Sequence, residues 1–190
     1  MHYRMTLEDK VRVPPNRLGE NLEHVVLNVL QEQLEGSIDK DIGIFISVTR
    51  VLEIGEGDLI PGDGAIYYDV RFEAMVLRLS LQEVVVGEVV ETTSFGAFVS
   101  LGPIDAMLHV SQISDEFINY DEKNGRLICQ ESKRPIGVGD GVRARVVALS
   151  LNEREPRESK IGLTMRQAGL GTENWLKEEY EQEKAEHGSA

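Results

Sequence analysis

VGEVVETTSFGAFVSLGPIDAMLHVSQIS, from Val86 to Ser114, is the stretch that decides the reading of this chain. Short apolar runs alternate with glycine and polar punctuation at near-regular intervals, the pattern of a small closed barrel rather than of helices. It predicts a first strand over Glu83–Thr92, a second over Gly96–Leu101 and a third over Ala106–Val110. Downstream, VGDGVRARVVALSL (Val138–Leu151) adds a fourth strand over Gly141–Leu149, and KIGLTMR (Lys160–Arg166) adds a fifth over Lys160–Met165. The all-β region therefore runs from about Glu83 to Gly169.

Five strands in a segment of this length fit the OB architecture. Phe95 and Phe98 flank a Gly-Ala pair, so a turn and a short strand can present two rings on one outer face. Every base has a π face, and each base–aromatic stack contributes about 1–3 kcal/mol. Arg143 and Arg145 stand two apart on the fourth strand, share a face, and can neutralise phosphates. His109, at the end of the third strand, can stack or donate to a phosphate. Gly87, Phe95-Gly96-Ala97-Phe98, Gly102, Leu108-His109-Val110-Ser111, Gly139-Asp140 and Leu163-Thr164-Met165 occur in the order and spacing of an S1 domain, which the region resembles along its length. The resemblance implies that Phe95, Phe98 and His109 fall on RNA-binding positions and that Lys160 falls near a basic one. The S1 family often carries an Asp shortly after the fourth strand. Leu151-Asn152 stands there instead, which implies a weaker grip.

Outward from the barrel, bulk properties narrow the class. The chain of 190 residues carries a net charge of −13, which disfavours loose binding to duplex DNA. The charge is uneven. Arg126–Arg166 holds nine Lys or Arg against five Asp or Glu, whereas Glu173–His187 holds two Lys against six Glu. A mildly basic barrel on an acidic protein suits one partner surface plus one RNA contact. No apolar run reaches the roughly 20 residues of a membrane helix, and MHYRMTLEDK lacks the apolar core of a signal peptide. A cytoplasmic setting is expected, with no membrane contact. Cys129 is the single cysteine, which excludes an internal disulfide and a cysteine-based metal cage; it reads as a small apolar strand residue.

The N-terminal half reads as β-α-β-β, a truncated RNP-like α+β unit. A strand over Met1–Val13 ends at Pro14-Pro15, and Asn16 is the expected N-cap of the helix that follows. Leu22, Val25, Val26, Val29, Leu30 and Leu34 form one apolar stripe, His24 lies off it, and Gly36 is the expected stop. Ile42–Ile54 predicts a strand ending in a turn-rich loop, Gly55–Gly64. Ile66–Val76 alternates with period 2. The loop lacks the Lys-Ser/Thr of a phosphate cradle, and Glu56, Asp58 and Asp63 would repel phosphate. It is read as an exposed docking loop (Gly55, Glu56, Asp58, Pro61, Gly62, Asp63, Gly64). Such a sheet with one helix lacks full cover and calls for a neighbour.

VRVPPNRLGENLEHVVLNVLQEQLEG (Val11–Gly36) and DIGIFISVTRVLEIGEGDLIPGDGAIYYDVRFEAMVLR (Asp41–Arg78), followed by the barrel, resemble the stalk subunits of RNA polymerase: the archaeal E-prime subunit and the seventh subunit of eukaryotic polymerase II. INYDEKNGRLICQESKRPIGVGD (Ile118–Asp140) matches an insertion of that family, with Asn124-Gly125 suiting a two-residue hairpin turn. MRQAGLGTENWLKEEY (Met165–Tyr180) matches its ending, with Trp175 and Tyr180 as apolar anchors of a short C-terminal helix. The resemblance implies a tip domain over 1–81 that docks to the polymerase core near the clamp. It implies an S1/OB domain over 82–190, with the insertion at about 117–138. The expected partners are the small helical stalk partner of the RNA polymerase, its F subunit, and single-stranded nascent RNA, with a role in promoter opening. No catalytic site, cofactor or metal is expected. A free-standing S1-domain protein of translation or RNA decay is the alternative, and a nuclease using the acidic loop is a third.

Overall fold

The structure, a computed structural model, describes residues 1–187. The chain divides into two units: Met1–Arg78 with Asn152–Pro156, and Leu79–Leu151 with the residues from Arg157 onward.

The first unit is a four-stranded antiparallel sheet with one helix. Its elements are β1 (His2–Val13), α1 (Leu22–Leu34), β2 (Ile38–Asp39), β3 (Gly43–Leu59) and β4 (Ile66–Leu77), in sheet order β1-β4-β3-β2. The expected stripe forms the seam of α1. Val25, Val26, Val29 and Leu30 are buried against Val11, Val13, Phe45, Val48, Phe72 and Ala74, with Leu22 and Leu34 partly buried beside them. The N-cap is Asn21, not Asn16: the Asn21 side chain accepts from the His24 N–H at 3.1 Å. Asn16 lies in a single 3-10 turn, Pro15–Arg17, that the prolines favour. The helix ends at Leu34, two residues before Gly36.

β3 is longer than the sequence suggests. Gly55, Glu56 and Asp58 belong to the strand, and the expected loop shrinks to the residues after Leu59. Gly57 marks a close approach rather than a turn. A Cβ there would lie 2.7 Å from Ile66 Cγ2 and 2.9 Å from Tyr68 Cε1, so glycine makes room for these two side chains to cross over the strand. β3 uses 17 residues where β4 uses 12, and the surplus is taken up as bulges between Phe45/Ser47, Val48/Arg50, Val51/Glu53 and Ile54/Gly57. On β4, Val70, Phe72, Ala74 and Val76 are buried while Asp69 and Arg71 are exposed. The face away from α1 carries cross-strand ion pairs: Lys10–Asp58 at 3.2 Å, Arg50–Glu73 at 2.9 Å and Arg71–Glu53 at 2.9 Å.

The second unit holds the barrel strands β5 (Val84–Thr93), β6 (Gly96–Ser100) and β7 (Asp105–His109). An insertion follows with β8 (Ile118–Asp121), β9 (Arg126–Cys129) and β10 (Pro135–Gly137). Then come β11 (Gly141–Ser150), β12 (Lys160–Thr164), β13 (Gly171–Thr172) and α2 (Glu173–His187). The order β12-β7-β6-β5-β11 closes through β11–β12, giving the five-stranded barrel. Val89, Ala97, Val99, Ala106, Leu108, Ala144, Val146, Ile161 and Leu163 fill it. The alternation of small and large residues suits the interior of a narrow barrel. The fold is therefore an α+β unit followed by an all-β S1/OB barrel and a short C-terminal helix.

The insertion is a three-stranded sheet, β10-β9-β8, rather than a hairpin alone. Asp121 pairs with Arg126, so the turn has four residues instead of two. The Asp121 carboxylate accepts from the N–H groups of Lys123 and Asn124 and from the Asn124 amide at 2.7 Å. Those bonds, the Asn124 amide first, hold its carboxyl below the usual range. Cys129 is buried in β9, and burial pushes its thiol up. Trp175 is buried as expected, but Tyr180 is 59% exposed, with the Lys184 ammonium 4.6 Å from its ring centroid, so it is not a buried anchor. Arg134 holds α2 to the insertion, reaching Glu179 at 3.0 Å and Glu178 at 3.6 Å with its guanidinium 5.7 Å from the Trp175 ring centroid.

Candidate nucleic-acid interface and docking tip

β6 is positioned by a residue that has no side chain. A Cβ on Gly96 would lie 2.3 Å from the Leu108 carbonyl oxygen and 3.0 Å from the His109 Cα. Glycine thus lets the start of β6 press against the end of β7. The Val110 N–H donates to the Phe95 carbonyl at 3.0 Å, which joins the β5–β6 turn to the end of β7. Phe95, Phe98 and His109 are brought together by that closure.

Phe95 sits in the turn and is 50% exposed; Phe98 points outward from β6 and is half-buried. Their ring centroids are 6.4 Å apart with planes at 89°. In the edge-to-face arrangement the two rings brace one another, and Phe95 keeps half of its surface open. On the neighbouring strands Phe98 stands opposite Met107 of β7 and Glu91 of β5. Met107 joins the candidate face, unnamed among the expected residues although its outward parity on β7 marks it: Ala106 and Leu108 are buried and Met107 is not.

His109 is exposed and set in one orientation. The Ser111 N–H donates to His109 Nδ1 at 3.2 Å, and the Ser111 hydroxyl lies 2.8 Å from the same nitrogen. Nδ1 is therefore an acceptor, and the proton of the neutral ring is on Nε2, free to donate to a phosphate or a base edge. Lys160 is exposed at the start of β12. β12 runs parallel beside β7 with Gly162 next to Met107, so Lys160 shares the outward parity of that row.

Arg143 and Arg145 lie elsewhere on the barrel. β11 is separated from β6 by β5 on one side and from β7 by β12 on the other. Arg143 stands between Val86 and Gly171. Arg145 Nη1 donates to the Gln82 carbonyl at 3.2 Å. The two arginines share a face, as expected, but not the strand pair that carries the rings.

Where β3 gives way to the turn before β4 in the first unit, Leu59 is 72% and Ile60 47% exposed, followed by Pro61 and Gly62. No periodicity in the sequence marks this apolar pair, which is set among acidic and glycine residues. Of the expected loop residues, Gly55 and Glu56 lie in β3, and Asp58, also in β3, is paired with Lys10. Gly64 abuts Pro15. Asp63 is a staple. Arg12 Nε and Nη2 donate to its two oxygens at 2.9 and 2.7 Å, the Tyr67 hydroxyl donates at 2.7 Å, and the Ala65 N–H at 3.3 Å. The Arg12 guanidinium first, and then Tyr67, hold this carboxyl well below the usual carboxylate range.

A depressed carboxyl contributes stability that is fully present above the unfolded Asp value of about 4 and is lost as pH falls toward the folded value. Asp63→Asn should therefore lower thermal stability at pH 7 and flatten the acid side of the stability profile. Parallel melting curves for the two proteins between pH 7 and strongly acid solution would contradict the staple.

Comparison with known proteins gives this arrangement its class. A family model described as "SHS2 domain found in N terminus of Rpb7p/Rpc25p/MJ0397" matches residues 8–64, and one described as "S1 RNA binding domain" matches residues 79–160. The class is thus an SHS2-type domain followed by an S1 barrel. The chain is 43% identical over 168 residues to DNA-directed RNA polymerase subunit Rpo7 of Saccharolobus shibatae, covering 87% of this chain and 92% of that one. It is 36% identical over 170 residues to Rpo7 of Sulfolobus acidocaldarius, covering 89% and 91%. Against DNA-directed RNA polymerase III subunit RPC8 of Saccharomyces cerevisiae it is 27% identical over 162 residues, covering 82% and 76%. The chain belongs to the Rpo7 family of DNA-directed RNA polymerase subunits. No helix among the described residues is long and apolar enough to cross a membrane.

Proposed function

We propose that this chain is the stalk subunit of its polymerase: it docks to the core by the tip of the first unit, pairs with the small helical F subunit, and guides emerging single-stranded RNA across the barrel. It supports promoter opening and has no catalytic site of its own. The observation that carries the RNA role is the pair of outward phenyl rings beside His109. They offer sequence-tolerant stacking, whereas the nearest register positions include Glu91 and Asp105, which limit phosphate attraction. The face therefore guides RNA more than it grips it. Phe95, Phe98, His109 and Lys160 are the proposed contacts; Arg143 and Arg145 would meet a strand only after it left the rings.

Docking is supported by Leu59, the last residue of β3, and Ile60, the first after it, two large exposed apolar side chains at a turn that the Asp63 staple holds in one shape. Exposed apolar groups on a rigid tip suit a pocket in a large partner. Pairing with the small helical partner is supported by aliphatics along β5: Val84, Val86 and Val90 are 44%, 65% and 44% exposed, with Leu81 at 59% and Val138 at 64%. A run of aliphatics is unusual on a free surface and fits a permanent partner.

Reconstitution separates these roles. Leu59→Asp with Ile60→Asp should abolish co-purification with polymerase core while leaving the complex with the small helical partner intact. Undiminished recovery of core subunits would remove the docking role of the tip.

A further inference from the structure

β1 is an edge strand whose outer side is open. The terminal amine of Met1 donates to the Arg78 carbonyl at 2.6 Å, and the Arg78 N–H donates to the Met1 carbonyl at 3.0 Å. Met1 and Arg78 are thus a hydrogen-bonded pair, and in an antiparallel ladder such pairs alternate. Tyr3, Met5, Leu7 and Asp9 therefore bond to β4, and the N–H and C=O groups of Arg4, Thr6 and Glu8 point away from it. β1 pairs with β4 from His2 to Val13 with no register shift, so this edge is straight, in contrast to β3. At Lys10 the outward N–H is already taken by the Asp9 carboxylate at 2.7 Å. The available stretch is Arg4–Glu8.

Long, straight edges invite pairing, and proteins usually block them with like charges, proline or bulges. Here the charges do the opposite. Arg4 and Glu8 lie two residues either side of Thr6, both are exposed on the face away from α1, and neither makes a close ion pair within the described residues. The Glu73 carboxyl of β4 is held down first by its hydrogen bonds from Arg50, and Arg4 acts on it only through its field. In an antiparallel pairing of two copies centred on Thr6, Arg4 of each faces Glu8 of the other, and Met5 faces Leu7 on the helix side, where both are only partly buried. Centring on Arg4 or Glu8 sets like charges against themselves, centring on Leu7 sets Arg4 against Lys10, and centring on Met5 leaves Arg4 opposite Thr6. The self-complementary register is the one about Thr6.

We propose that the free chain forms a two-fold symmetric dimer through the β1 edges, paired antiparallel about Thr6, which joins two four-stranded sheets into one of eight. The partner is a second copy of this chain.

Sedimentation velocity of the full chain over a concentration series tests it. Wild type should show a monomer–dimer equilibrium. Arg4→Glu and Glu8→Arg, each alone, should weaken the dimer by roughly tenfold, since each places two like-charge cross-strand pairs. The double swap in one chain should restore it. Thr6→Pro, which removes an outward N–H without touching the β4 ladder, should leave only monomer while circular dichroism shows a folded chain. A wild-type chain monomeric at every concentration overturns the proposal, as does a dimer indifferent to the charge swaps. If the Thr6→Pro chain does not fold, the single and double swaps decide alone.

Discussion

Gly96→Val is expected to lower the melting transition of the barrel unit by roughly 10–20 °C, on the basis of a loss on the order of 3 kcal/mol. The added Cβ would meet the Leu108 carbonyl oxygen at 2.3 Å and the His109 Cα at 3.0 Å. Both are backbone atoms in the ladder that pairs Gly96 with His109, Ala97 with Leu108 and Phe98 with Met107, so no side chain can swing aside to relieve the contact. Strands β6 and β7 must part, and the Val110–Phe95 hydrogen bond that closes the turn parts with them. The variant should lose RNA affinity in step with stability, because the rings and His109 are mounted on the same closure. A transition shifted by less than about 3 °C, judged by the per-kcal scaling of domains this size, would show that the close approach is not required.

Phe95→Ala with Phe98→Ala should weaken binding of single-stranded RNA by about thirtyfold or more, taking the low end of 1–3 kcal/mol per stacked base for each ring. Phe95, half exposed in a turn, can be removed with little effect on the fold. Phe98 is half-buried and braces its neighbour edge-on, so the melting transition of the double variant must be followed as a control. A fluorescence titration at fixed salt measures the loss, and a salt series adds a second reading. For a single strand the logarithmic salt slope is about −0.7 per neutralised phosphate, and with Lys160 as the nearby exposed cation the slope should stay shallow. Unchanged affinity in the double variant would assign the rings to packing. A steep slope would move the RNA path toward Arg143 and Arg145.

How much of this was legible in the sequence depended on how local each cause is. The barrel strands could be read to within a residue or two, since each carries its own alternation between punctuating residues; β6, expected over Gly96–Leu101, spans Gly96–Ser100. The aromatic pair was legible for the same reason, as three residues of spacing and a Gly-Ala between them fix a turn and a strand start. The placement of Arg143 and Arg145 was not, because which strands flank β11 is a property of barrel closure and not of the sequence around it. The extent of the loop Gly55–Gly64 was not legible either, because glycine in a strand and glycine in a turn look alike until the facing side chains, here Ile66 and Tyr68, are known. Asn16 was read as the cap from its place after the prolines; that Pro15–Arg17 closes a separate 3-10 turn and leaves the capping to Asn21 was not legible. β10 has three residues, Pro135–Gly137, too few for any periodicity to register.

The surplus residues of β3 bear on how this protein tolerates change in length. In a regular strand, deleting one residue turns every following side chain to the opposite face. β3 carries its extra residues at near-even intervals, at Ile46, Thr49, Leu52 and the Gly55-Glu56 step, so losing one of them heals a bulge and leaves the pairing on both sides where it was. The strand works as a vernier: its reach can be adjusted in small increments without disturbing the helix seam at its root or the staple at its tip.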